Sequence, residues 1–244
     1  MNYFVCASHR SGSTLLCEML EQTGIAGMPG EYFMHWQGRS HEGWSLDDYP
    51  AYVQRLVTEL QTPNGVFSAK VMTGDDGLGG VVRRIQAHEA YASLCDAEVM
   101  EHFFPNARYI YLTRRHKVAQ AVSWWKAAQN DIYHLRDDEK APEAPLEYKF
   151  DAINYLLGEI IIEESAHQAF FDAVGVVPMT VVYEDFVQDM QGTLTRILDY
   201  LDVPLPEDYE YKPSPLKKMA DALSEEWIQR YRQEIQADWQ TIRW

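Results

Sequence analysis

The residues Phe4-Val5-Cys6-Ala7-Ser8-His9-Arg10-Ser11-Gly12-Ser13-Thr14-Leu15-Leu16 run from a short apolar segment through a turn of small residues into a helical pattern. That order builds an anion cradle, because the first-turn N–H groups of a helix have no intrahelical partners and the helix dipole is positive there. The spacing approaches the nucleotide-loop pattern G-x-x-x-x-G-K-[ST]. It departs at two places: Ala7 stands at the first Gly and Ser13 at the Lys. In that pattern the Lys reaches the β- and γ-phosphates and the Ser/Thr holds magnesium. Here the strong cation is Arg10, three positions earlier. The loop therefore reads as one that binds an anion without moving a Mg·ATP γ-phosphate. The alternative is an ordinary strand-to-helix turn capped by Ser11, Ser13 or Thr14; a long cation among small residues favours the cradle.

Two further groups of residues could do chemistry. Tyr109-Ile110-Tyr111-Leu112-Thr113-Arg114-Arg115 ends a strand on two cations, and Ser123-Trp124-Trp125 follows on a helix. Arg114, Arg115 and Ser123 hold an anionic group if the chain folds back over it; otherwise they are two solvated arginines and a surface serine. Gly27-Met28-Pro29-Gly30-Glu31-Tyr32-Phe33 places Glu31 between a bend and two aromatics. A carboxylate desolvated by Tyr32 and Phe33 gains basicity, as a general base needs, whereas a surface Glu in a turn does nothing of the kind.

Elements that position these residues follow from periodicity. Apolar runs at Tyr3–Ala7, Val66–Met72, Ala107–Thr113 and Met179–Tyr183 predict strands. Between them, Leu15, Leu16, Met19 and Leu20 predict a helix ending at Gly24, and Tyr52, Val53, Leu56, Val57 and Leu60 a second one before Thr62-Pro63-Asn64-Gly65. Helical spacing continues from Phe150 through Val174, stopping at Gly175, and from Phe186 through Leu201, breaking at Pro204. A last helix over Ser224–Arg232 has Ser224 as its expected N-cap. Gly74–Gly80 reads as a plain loop, and Asp131–Pro145 as a mobile surface loop or a lid. Strands alternating with helices predict a mainly parallel sheet covered on both faces, with ligands at the carboxyl ends of its strands.

Composition narrows the classes. The chain has 244 residues, 37 acidic against 21 basic, for a net charge of −16. Such a surface argues against nucleic acid or an anionic membrane as partner. Three cysteines, Cys6, Cys17 and Cys95, read as reduced thiols. No run approaches a membrane span or a signal peptide, so a cytoplasmic protein is expected. No Cys-x-x-Cys or His-Glu-x-x-His spacing occurs, so no metal is expected.

Taken together, these residues resemble the trehalose-type sulfotransferases, a bacterial branch of the sulfotransferases that use 3′-phosphoadenosine-5′-phosphosulfate (PAPS). The resemblance rests on Ser8–Cys17 and Thr23–Phe33, and continues through Pro63-Asn64-Gly65-Val66, Lys70, Arg114 with Gln120–Trp125, Ser224-Glu225-Glu226-Trp227 and Arg230-Tyr231-Arg232. It implies that Arg10, Ser11, Gly12, Ser13 and Thr14 wrap the 5′-phosphosulfate of PAPS. It gives the 3′-phosphate to Arg114 with Ser123, Arg115 standing at a spacing seen in the wider sulfotransferase fold. Glu31 is implied as the base. His9 and Met28, Pro29, Gly30, Glu31, Tyr32, Phe33 and Met34 are implied to line the pocket of a sugar or glycolipid acceptor, and a homodimer is compatible with the family. Family members often carry Gln where this chain has His9 and Gly30. Lys217 and Lys218 either close over the nucleotide or belong to a solvated charged loop. The expectation is a single domain over residues 1–244, a P-loop-type three-layer α/β/α sandwich with a mainly parallel central sheet. A P-loop kinase and a catalytically inactive nucleotide- or sugar-binding protein of the same fold are the rival readings.

Overall fold

The computed structural model describes residues 1–34, 40–136, 145–206, 208–216, 219–237 and 239. Four strands form one sheet, β1 (Asn2–Ala7), β2 (Phe67–Val71), β3 (Arg108–Thr113) and β4 (Met179–Val182), in the order β2-β1-β3-β4. Every pairing is parallel, with Val5 opposite both Lys70 and Ile110. All six residues of β1 are buried, which its near-continuous apolar run required of a strand covered on both faces.

The described residues separate into two compact units, Met1–Thr113 with Glu163–Ser214, and Arg114–Ile162 with Pro215–Trp244. In the first unit, side chains of β1 alternate between two cores. Phe4 and Cys6 pack with residues of α2 (Tyr49–Glu59), α3 (Leu78–Gln86), α4 (Asp96–Phe103) and the end of α6 (Phe150–Val174). Tyr3, Val5 and Ala7 pack with α1 (Ser13–Glu21), α7 (Tyr183–Phe186) and α8 (Met190–Leu201). The expected three layers and mainly parallel sheet are therefore present. The second unit closes around α5 (Lys117–Asn130), the first half of α6 and α9 (Ala222–Ile235), with Ala121, Ile153, Ile160, Trp227 and Tyr231 buried together.

Several local expectations are corrected. The Gly74–Gly80 stretch is not a plain loop: a 3₁₀ turn at Gly74–Asp76 leads into α3, which begins at Leu78. Gly80 is what allows it, since a Cβ there would lie 2.1 Å from the Asp75 carbonyl oxygen. Leu78, Val81, Val82 and Ile85 then form the buried face. The stretch from Phe186 to Leu201 is two helices, because the Asp189 carboxylate accepts from the Gly192 N–H at 2.9 Å and starts α8 afresh. The N-cap of α9 is Asp221, not Ser224. Asp221 Oδ1 accepts from the Ser224 N–H (2.9 Å) and from Lys126 Nζ (2.7 Å), which an uncharged Ser cap could not attract as well. The stretch Asp131–Pro145 lies in large part outside the described residues, as do Lys217 and Lys218.

The turn from β1 into α1 is the fold's main contribution to a site. Arg10 takes φ 60° and Gly12 φ 94°. Left-handed backbone is costly for a residue with a Cβ, and at Gly12 a Cβ would also stand 2.4 Å from Cδ2 of Tyr183.

Gly12→Ala is accordingly expected to destabilise the first unit by about 1–3 kcal/mol from backbone strain alone. Adding Tyr183→Ala should leave that part of the loss in place, as urea unfolding of the single and double variants would show. Asp221→Ala should cost about 1 kcal/mol of cap energy, read as faster hydrogen exchange in α9. Burial alone would raise the Asp221 carboxyl, but the bonds from Lys126 and Ser224 outweigh it and hold it down at about 2, against an ordinary 3.8. Its contribution is full above the ordinary value and fades as pH falls through about 2.

Candidate active site

The loop that leaves β1 opens at the carboxyl edge of the sheet, where β1 lies between β2 and β3 and the strand order reverses. Helix α1 starts at Ser13 with Gly12 as N-cap, and no side chain caps it, so the turn is not the Ser/Thr-capped kind. Ser11 and Ser13 are buried, Arg10 and Thr14 half-buried. The Ser11 Oγ is buried with no hydrogen-bond partner among the described residues. A buried hydroxyl left unsatisfied is costly. A hydroxyl, the start of an uncapped helix and a loop Arg together suit an anion with several oxygens.

Glu31 arrives at the same edge by pairing with β2. Gly30 bridges Ala69, and the Lys70 N–H donates to the Gly30 carbonyl at 2.8 Å. Lys70 Nζ then lies 2.6 Å from Glu31 Oε1, with the Lys side chain 12% and the Glu side chain 37% exposed. Lys70 sits beside Val5, on the face that α1 covers. Cys17 of α1 lies near this pair. Burial pushes its thiol up to about 12; the Lys70 charge opposes the rise, while Glu31, Glu21 and Glu18 add to it.

The aromatics beside Glu31 are used differently from the expectation. Phe33 is 1% exposed and packs on Phe4 and Phe104 in the core, so the nearest partner of Glu31 is the Lys70 ammonium instead of two rings. Tyr32 folds back so that its hydroxyl donates to the Met28 carbonyl, and its ring fills the space a side chain at Gly30 would need, 2.7 Å from a Cβ there. Burial pushes the Tyr32 hydroxyl up to about 12. Pro29 is buried, Met34 partly buried, and Met28 39% exposed.

His9 is held by α6. Its backbone N–H donates to Glu163 Oε2 at 2.8 Å, and its ring Nδ1 bonds the other oxygen of the same carboxylate. On either side, Glu164 Oε1 accepts from Thr113 Oγ1 (2.8 Å) and Ser8 Oγ (3.4 Å), and His167 Nε2 donates to the Ala7 carbonyl (3.1 Å). Glu163, Glu164, His167 and the Lys70 ion pair were not reachable from local spacing.

In the second unit, Arg114 follows β3 directly and is partly buried, Arg115 is exposed, and Ser123 lies partly buried two turns into α5. Trp227 and Tyr231 of the C-terminal motif are core residues, and Arg230 pairs with Glu234 at 2.7 Å. Among the described residues no group of three or more His, Cys, Asp or Glu could hold a metal ion, and no helix is long and apolar enough to cross a membrane.

The family model described as Stf0 sulphotransferase matches residues 2–234. Trehalose 2-sulfotransferase of Mycolicibacterium smegmatis is 29% identical over 97% of this chain and 96% of that protein. Trehalose 2-sulfotransferase of Mycobacterium tuberculosis is 27% identical over 95% and 94%. The sulfotransferase domain from the curacin biosynthetic pathway superposes with a TM-score of 0.50 at 18% identity, over 91% of this chain and 81% of that domain, a likeness of fold. The kinase and inactive-protein readings give way: the chain belongs to the Stf0 sulfotransferase family and is an enzyme that transfers sulfate.

Proposed function

We propose that the enzyme moves a sulfuryl group from PAPS to a hydroxyl of trehalose or a closely related sugar. The observation that carries this reading is the buried Ser11 hydroxyl, without a partner among the described residues, beside the uncapped start of α1, with Arg10 in the same turn and no Lys at position 13. The names of the two mycobacterial relatives support trehalose as the acceptor.

The donor supplies a sulfuryl group already activated as a phosphosulfate anhydride. Arg10 and the loop amides neutralise the charge that grows on the departing phosphate oxygen, where fixed donors act most strongly. Arg10 does this with a planar fork that a Lys could only partly replace. Glu31 accepts the proton of the attacking hydroxyl, and Lys70 holds its carboxylate in place before that proton arrives. The 3′-phosphate falls to Arg114 with Ser123 by the family pattern, with Arg115 as the alternative cation.

The deciding experiment incubates the enzyme with PAPS and trehalose and looks for sulfated trehalose by mass spectrometry; absence of product across a sugar panel would overturn the acceptor class. In the same assay Glu31→Gln should lower turnover by ~10²–10⁴ while leaving affinity for 3′-phosphoadenosine-5′-phosphate near that of the parent. Retention of more than half of the turnover, with chemistry rate-limiting, removes Glu31 from the mechanism. Calorimetry tests the nucleotide end. Each charge-assisted bond to a 3′-phosphate is worth about 1.5–3 kcal/mol, so the 3′-phosphorylated nucleotide should bind at least about tenfold more tightly than AMP. Arg114→Ala should erase most of that difference and leave AMP binding almost unchanged.

A further inference from the structure

Three consecutive residues at the exit of β1 are each held by one turn of α6. Ala7 is bonded by His167, Ser8 by Glu164 and His9 by Glu163. The Glu163 bond is the most specific of the three, because one carboxylate takes both the backbone N–H and the ring of the same residue. An ionised carboxylate only accepts, so the ring nitrogen facing it must carry the proton. Glu163 thus selects the tautomer of His9 as well as its position. The carboxylate is well sheltered, its side chain 12% exposed, while the imidazole is 37% exposed at the mouth of the loop. The next residue of α6, Glu164, accepts from both Ser8 and Thr113 and so ties the same segment to the end of β3.

We propose that Glu163 is a positioning residue for the sugar acceptor, acting through His9. It holds the imidazole as the Nδ1–H form, in which Nε2 is the accepting nitrogen of the neutral ring. This rests on the reading of His9 as an acceptor-side residue.

The test uses trehalose and PAPS as substrates. Glu163→Gln should raise the trehalose KM about tenfold, the scale of one lost charge-assisted bond, with kcat and affinity for 3′-phosphoadenosine-5′-phosphate within about threefold. His9→Ala should raise the KM at least as much, and the double variant should be no worse than His9→Ala alone, since the carboxylate acts only through the ring. Full additivity, or a Glu163→Gln KM within twofold of the parent while His9→Ala is impaired, overturns the proposal and leaves the reading of His9 intact. An unchanged KM in His9→Ala overturns that reading and the proposal together. One measurement needs no variant: ¹⁵N NMR of the imidazoles in the parent protein should show His9 protonated at Nδ1, and a neutral ring protonated at Nε2 instead would refute the assignment.

Discussion

The molecule is organised around the need to pass from a fully buried strand to a helix within five residues without capping that helix. The chain manages this by placing two residues of the turn, Arg10 and Gly12, in left-handed backbone and by laying the Tyr183 ring against the bare Cα of Gly12. The result is a helix start aimed over the sheet edge, with a cation and a buried hydroxyl beside it. Strain of this kind persists only when the surroundings over-determine it. Here the surroundings are β1, clasped between β2 and β3, and the turn of α6 bonded to Ala7, Ser8 and His9.

Local geometry must also overcome the charge of the whole. A chain of net charge −16 repels an anion at long range. At physiological ionic strength that field decays over about 8 Å, whereas amides, a hydroxyl and a guanidinium act at contact. A compact set of such donors therefore outweighs distant charge at contact range, and the acidic surface elsewhere works against indiscriminate binding of larger polyanions. The Glu31–Lys70 pair obeys the same logic. The Glu31 carboxylate carries its own ammonium within 2.6 Å, so the pair adds little net charge to its surroundings.

Much of this was legible in the chain. The four strands and the parallel order of layers follow from apolar runs, which are local signals. The losses are equally instructive. Helix α3 hid behind Gly77, Gly79 and Gly80, because propensity counts glycine against a helix, while at Gly80 close contact with the Asp75 backbone demands it. Ser224 looked like a cap, and Asp221 won because Lys126, far away in sequence, sits on it. Lys70 beside Glu31 and Glu163 beside His9 belong to the same class. They join residues 39 and 154 positions apart, and only the register of β2 and the course of α6 bring them within reach.

The fold-back of Tyr32 over Gly30 has an evolutionary consequence. The two positions compete for one volume, so a large side chain at 30 and an aromatic ring in this pose at 32 exclude each other. The order of change between such states is constrained. Enlarging position 30 first drives atoms into a ring that must swing out and abandon its bond to the Met28 carbonyl. Shrinking position 32 first only opens a gap at a half-exposed site, which a later substitution at 30 can fill. Descendants of a chain like this one are expected to travel by the second route, and residues 30 and 32 to vary as a linked pair.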